Sequence, residues 1–217
     1  MQTNRMIGLD LDGVIRHNNK SLGTGDIPID WRNREKLIDL NKHNALPSHY
    51  YVKDSKDLKF IDGALESLAL FYQLDIPCYV FTNQEAIGLG IVSEDDWQLL
   101  VEVMDHYIQE AGGCISSWNW CPHFPDEGCD CRKPKPGMFT DFRNKLFRDQ
   151  FDIDLSQMCF IGDNPSDMEA GHNAGCGLKV HIQLDTADEE FRESEYSDVT
   201  ATSLKDSVVD VLTWCYG

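Results

Sequence analysis

Short apolar runs alternate with amphipathic stretches along this 217-residue chain. The first run, Met6, Ile7 and Leu9, leads straight into Asp10, Asp12 and Gly13, the pattern of a short buried strand that ends in carboxylates. Helical spacing follows over Ile61–Leu74, where Leu65, Leu68, Ala69 and Tyr72 recur at steps of three and four residues. Pro77 cannot continue that helix, and Cys78–Phe81 predicts a second strand that ends in Thr82, Asn83 and Gln84. Ser93 with Asp96 matches the acidic form of a capping box and opens a helix over Ser93–Gln109, its apolar stripe formed by Trp97, Leu100, Val101 and Met104. Cys114–Trp120 predicts a third strand, Gly137–Phe147 a third helix, Met158–Ile161 a fourth strand and Pro165–Asn173 another helix. A fifth strand over Leu178–Ile182 and a last helix over Ser203–Trp214 complete the series. Strands alternating with helices predict an α/β fold with a parallel sheet covered on both faces.

Two stretches break this rhythm. Residues 17–50 are polar and offer a helix near Trp31–Asn41, capped by Asp30 and followed by Pro47. They read as an insert in the loop after the first strand, the place for a cap-like lid. Residues 121–137 form a loop dense in Cys, His, Pro and Gly. With 41% hydrophobic residues the chain has enough material for a core, and its length suits one domain, 1–217, carrying the insert.

Composition narrows the function. No apolar run approaches the roughly 18 residues of a membrane span, and the N-terminus lacks the apolar region of a secretory signal, so a cytoplasmic protein without membrane partners is expected. A formal charge of −18 argues against nonspecific nucleic-acid binding and reads as solubility. Eight cysteines without a secretory signal point to a reducing compartment and to metal before disulfides.

In a parallel sheet the strand ends converge on one rim. That rim would collect Asp10 and Asp12, Thr82 and Asn83, and Asp163 and Asp167, with Lys133 arriving from the loop before the third helix. Together they supply the parts for phosphoryl transfer through an aspartyl-phosphate: Asp10 as nucleophile and Asp12 as proton donor and base. Asp10 and Asp163, with a backbone carbonyl at Asp12, would hold Mg²⁺, while Thr82, Asn83 and Lys133 would hold phosphate oxygens. Bland readings stand beside these: an Asp-Gly turn, carboxylates capping the helix at Pro165, and a surface lysine. Cys121-x-His123-x5-Cys129-x-Cys131 sets three thiolates and one imidazole together, a ligand set suited to a closed tetrahedral Zn²⁺ site. A disulfide or free thiols are the alternatives, although a Cys-x-Cys disulfide is strained. Such a zinc loop, 121–131, would brace Arg132 and Lys133 just past Cys131. His106, His172, Cys78, Cys159 and Cys176 read as core or surface residues.

The ordered set Asp10-Leu11-Asp12-Gly13-Val14, Thr82-Asn83, Lys133 and Gly162-Asp163 with Asp167 resembles the haloacid-dehalogenase-like phosphatases. Tyr51-Val52, Phe60-Ile61-Asp62-Gly63, Thr82-Asn83-Gln84, Cys121-Pro122-His123, Cys129-Asp130-Cys131-Arg132-Lys133-Pro134 and Pro136-Gly137-Met138 are similar to the D-glycero-D-manno-heptose 1,7-bisphosphate 7-phosphatases. The histidinol-phosphate phosphatases share much of this. The resemblance implies a Rossmann-like three-layer sandwich with a mostly parallel central sheet. It also implies Mg²⁺ on Asp10, Asp12 and Asp163, a zinc loop, substrate contact by Arg132 and support of the metal end by Asp167. The implied activity is Mg²⁺-dependent hydrolysis of a small phosphate ester, a phosphorylated sugar or similar metabolite; a monomer is expected. The rivals are a nucleotide or polynucleotide 3′-phosphatase and a noncatalytic, zinc-stabilised phosphate-binding module. Three features depart from the family pattern. Glu85–Gly90 stands where a Ser-Gly-Ile-x-Arg-Gly stretch is usual, Asn164 where a basic residue is usual, and about thirty additional residues lie between Arg16 and Tyr50.

Overall fold

In the computed structural model, which describes residues 4–17, 35, 38–39, 52, 55–183 and 194–217, β1 (Met6–Leu9) lies at the centre of a sheet. β2 (Cys78–Asn83) and β3 (Ser117–Cys121) extend the sheet on one side of it; β4 (Met158–Gly162), β5 (Leu178–Ile182) and β6 (Val199–Ala201) extend it on the other. The order is β3-β2-β1-β4-β5-β6 and every pairing is parallel. The strand order therefore reverses at β1, between β2 and β4. In open α/β sheets ligands bind outside the carboxyl ends of the strands at such a switch point.

Period-two alternation explains why the strands read as continuous apolar runs. Ile7 and Leu9 of β1, Cys78 and Val80 of β2, and Cys159 and Ile161 of β4 face one core. Met6, Phe81, Met158 and Phe160 face the other. The first core is covered by α1 (Ala64–Gln73), α3 (Glu94–Glu110) and α6 (Leu204–Tyr216), through residues such as Phe71, Trp97, Met104 and Val211. The second is covered by α4 (Gly137–Arg148) and α5 (Pro165–Ala174), where Phe139 stacks on Phe81 at 4.3 Å between ring centroids and meets Phe160 edge-on at 4.9 Å. A side chain at Gly8 would collide with Met158 and Phe160 in this crowded layer. The result is a three-layer sandwich with helices on both faces of a parallel sheet, as the alternation predicted.

Within the described residues the predicted elements are present, with no end moved by more than three residues. Ser93 caps α3 by accepting the Asp96 N–H at 3.1 Å, but its hydroxyl also donates to the Asp96 carboxylate at 2.6 Å, a local variant of the expected box. Among the described residues, β6, the short helix α2 (Glu85–Gly88) and the 3-10 turns Ser55–Asp57, Pro125–Glu127 and Leu155–Gln157 were not anticipated. The helix expected near Trp31–Asn41 lies outside the described residues except for Glu35, Ile38 and Asp39, which are helical; the lid expected over 17–50 lies outside them likewise, save those three and His17. The two stems of that segment are described. His17 N–H donates to Lys59 O at 2.9 Å, Ile61 N–H donates to Ile15 O at 3.0 Å, and Arg16 forms an antiparallel bridge with Phe60. Among the described residues no helix is long and apolar enough to cross a membrane.

Candidate active site

β1 ends at Leu9, and Asp10 continues its ladder by donating its N–H to Ile161 O at 2.8 Å. The chain then folds back sharply. Ile15 and Arg16 donate to Leu11 O, and Gly13 donates to Arg16 O at 2.8 Å. Gly13 adopts φ +85°, and a Cβ there would overlap the Asp163 carboxylate, so only glycine lets β1 and β4 bring their acids this close.

Lys133 reaches the site from the loop before α4. Its ammonium lies 2.7 Å from Asp10 Oδ1, 2.6 Å from Asp167 Oδ1 and 2.8 Å from Phe81 O. These three acceptors match the three N–H donors of a lysine. Burial works against the Lys133 charge, but the carboxylates of Asp10 and Asp167 outweigh it and hold its pKa above the ordinary lysine value. The Asn83 side chain fastens this loop from both sides: its Nδ2 donates to Lys133 O at 3.2 Å, and its Oδ1 accepts the Lys133 N–H at 3.1 Å. Thr82 is buried, and its hydroxyl oxygen accepts Gln84 Nε2–H at 2.9 Å.

Asp10, Asp163 and Asp167 are all buried, and one oxygen from each lies within 4.8 Å of the others. Burial pushes the Asp10 carboxyl up to about 7; Lys133 opposes this and Asp167 adds to it. Asp163 is raised well above the usual carboxylate range, first by burial and then by Asp10 and Asp167. Among the described residues, Asp163 Oδ2 is buried with no hydrogen-bond partner. Three buried carboxylates facing one ammonium, one of them with an orphaned oxygen, form an oxygen-rich cradle short of positive charge. A hard divalent cation fits it.

Asp167 has two tasks. Asn164 caps α5 by accepting the Ser166 N–H at 2.9 Å, and Asp167 returns the box by accepting the Asn164 N–H at 3.0 Å. The helix-cap reading is thus real for Asp167, which also pairs with Lys133. Asp163 precedes the cap, and its backbone oxygen lies 3.2 Å from His181 Nε2.

Asp12 has partners of its own, Arg16 and Gln84. Arg16 grips it with Nε at 2.9 Å from Oδ1 and Nη2 at 3.3 Å from Oδ2, and Gln84 Nε2 donates to Oδ2 at 2.8 Å. Neither Arg16 nor Gln84 was singled out in the sequence. The string that carries Asp10 and Asp12 contains Arg16, and Thr82-Asn83-Gln84 contains Gln84, so adjacency was the one available signal.

The second cluster lies where β3 ends. Cys131 Sγ is 3.2 Å from Cys121 Sγ and 3.3 Å from His123 Nδ1, and Cys121 Sγ is 3.6 Å from Cys129 Sγ. None of the eight cysteines is in a disulfide. A tetrahedral zinc sets thiolate sulfurs roughly 3.8 Å apart and a sulfur and an imidazole nitrogen roughly 3.5 Å apart; the separations here are somewhat shorter, so the four side chains are grouped closely enough to share one Zn²⁺ after opening slightly around it. Burial pushes the Cys121 thiol up, which disfavours a bare thiolate there. Arg132 leaves this loop and donates to His123 O at 3.0 Å and to Glu85 Oε2 at 3.2 Å. Leu89, where an arginine was expected from the resemblance, is buried in the fold. Cys78, Cys159 and Cys176 are buried, His106 pairs with Glu110, and His172 lies 4.7 Å from the Tyr196 ring.

Known proteins resemble this chain in sequence and fold. The pattern of the HAD-hydrolase-like family matches residues 130–206. The D-glycero-β-D-manno-heptose-1,7-bisphosphate 7-phosphatase of Vibrio cholerae is 33% identical over 170 residues, covering 75% of this chain and 86% of that protein. The D-glycero-α-D-manno-heptose-1,7-bisphosphate 7-phosphatase of Campylobacter jejuni is 33% identical over 158 residues, covering 73% and 84%. The crystal structure of a D,D-heptose 1,7-bisphosphate phosphatase from B. bronchiseptica, complexed with magnesium and phosphate, superposes with a TM-score of 0.73 at 23% identity. It covers 97% of this chain and 99% of its own.

Proposed function

The chain belongs to the haloacid-dehalogenase-like phosphatases, and from that premise we propose that it hydrolyses a phosphorylated sugar of the heptose-bisphosphate kind through an aspartyl-phosphate on Asp10. One observation carries the reading: Asp10 is held at the switch point of the sheet by Lys133, beside the orphaned oxygen of Asp163. In the first step an Asp10 carboxylate oxygen attacks phosphorus and the bond to the sugar oxygen breaks. Asp12 gives its proton to that departing oxygen. In the second step water attacks the aspartyl-phosphate, Asp12 takes the water proton, and phosphate leaves with Asp10 restored as carboxylate. Thr82 donates its hydroxyl to a phosphate oxygen, and Asn83 gives the amide hydrogen that Lys133 O does not use. The Lys133 ammonium offsets charge between nucleophile and phosphate.

Asp10 and Asp163, with the backbone carbonyl of Asp12, would hold Mg²⁺, and Asp167 would steady Lys133 beside it; the ion supplies neutralisation of phosphate charge. The magnesium and phosphate bound to the B. bronchiseptica protein support this assignment. Cys121, His123, Cys129 and Cys131 would hold a structural Zn²⁺, because four protein ligands leave no open position. Relatives named for the β anomer and for the α anomer are each 33% identical to this chain, so the proposal covers both anomers. Arg132 would contact substrate, yet it shares its charge with Glu85, which favours a substrate less anionic at that end.

Purified protein should release phosphate from heptose bisphosphate in Mg²⁺, and Asp10→Asn should abolish release. A panel adding histidinol phosphate, other sugar phosphates and a 3′-phosphorylated oligonucleotide ranks the substrates. Preference for the oligonucleotide would overturn the sugar assignment. A folded, metal-loaded protein inactive on every member would favour a binding module.

A further inference from the structure

We infer that Arg16 is a positioning residue that aims the Asp12 carboxyl at the departing oxygen of the substrate. This rests on the phosphatase reading above. The Arg16 side chain is 3% exposed, and its Nε and Nη2 address both oxygens of Asp12, while the Asp12 side chain remains 26% exposed. The guanidinium thus grips the carboxylate from the protein side and leaves it open to a ligand. Two N–H groups on two oxygens fix the plane of the carboxylate, which one point charge does not do.

Other elements hold the arginine in turn. Gln84 Oε1, just past β2, lies 3.5 Å from Nη2, and the same Gln84 ties Asp12 to Thr82 through its Nε2. From α3, the Trp97 ring lies 5.6 Å from the guanidinium carbon and Met104 Sδ 3.9 Å from Nη1. The backbone of Arg16 is pinned by its bridge to Phe60 and by the Gly13 N–H. A buried guanidinium needs such partners to offset desolvation, and here they converge on one carboxylate. Proton transfer needs the donor within hydrogen-bond reach of its acceptor, and a misplacement of about 1 Å can cost a hundredfold in rate.

The readout is the leaving group. An alkoxide needs the Asp12 proton as its bond to phosphorus breaks, whereas dinitrophenolate departs as a stable anion. The ratio kcat/KM reports only the steps through that first bond cleavage. Arg16→Lys and Arg16→Gln should lower kcat/KM for a sugar phosphate by about tenfold to a hundredfold and for 2,4-dinitrophenyl phosphate by far less. In an Asp12→Asn background, adding Arg16→Lys should change sugar-phosphate hydrolysis little, because the group to be aimed is gone. Thermal melting checks that each variant folds; should Arg16→Gln fail, Arg16→Lys carries the test. Equal losses on both substrates, no loss in Arg16→Lys, or full additivity with Asp12→Asn would overturn the inference. Failure of the wild-type protein to hydrolyse dinitrophenyl phosphate in Mg²⁺ would instead overturn the phosphatase reading itself.

Discussion

Asp10 occupies a place that penalises its own charge. Burial raises it to about 7, against Lys133, and raises Asp163 well above the usual range. Between about pH 4 and pH 7 the metal-free folded protein therefore keeps protons that the unfolded chain has released. The stability these groups contribute is full below the unfolded carboxylate pKa and is lost as pH rises through the folded values. A divalent cation needs the same oxygens deprotonated. Added Mg²⁺ should accordingly raise the melting temperature more at pH 8 than at pH 5, measured against a chelator control at each pH. Equal increments would contradict a cation on these carboxylates. Asp10, Asp12 and Asp163 were legible because each sits in a short string where an apolar run meets acids. Arg16 and Gln84 were not. Gln84 meets Asp12 from 72 positions away, and although Arg16 is only four residues from Asp12, nothing local separates it from a surface arginine.

At the start of α5, helix and site share a residue. Asp167 accepts the Asn164 N–H that closes the cap and pairs with the Lys133 ammonium. Asn164→Ala should cost about 1 kcal/mol in urea unfolding, the ordinary worth of a cap. Asp167→Ala should cost more, about 3–5 kcal/mol, because it leaves a buried ammonium short of a partner. Similar losses for the two variants would mean that Asp167 acts as a cap alone. The longer elements could be read from the chain because punctuation and period agree: Ser93 opens α3, and Gly175 at φ +80° closes α5. β6 and α2 have three and four residues, too few to show any period, and β6 exists because β5 offers it a partner at Val180 and Val199.

Across the molecule, two clusters are joined by a very short covalent path. Cys131 belongs to the Cys/His group, and Lys133, two residues on, belongs to the carboxylate group. The purified protein should carry one zinc per chain by elemental analysis. Cys129→Ser should lower that content and reduce turnover with it, because Lys133 would lose its brace. Full activity in a zinc-free variant would separate the two clusters. The spacing of the cysteines made the group visible in sequence, whereas its distance from the carboxylates depends on β2 and β3 lying side by side. The stems of the segment after β1 have a different consequence. The chain departs at His17 and re-enters at Lys59 as a hydrogen-bonded neighbour, so whatever lies between starts and finishes at one doorway. Doubling the length of a flexible loop costs only about 0.6 kcal/mol. A segment that leaves and returns at hydrogen-bonded neighbours can change in length without displacing the backbone of Ile15 and Arg16 that anchors it.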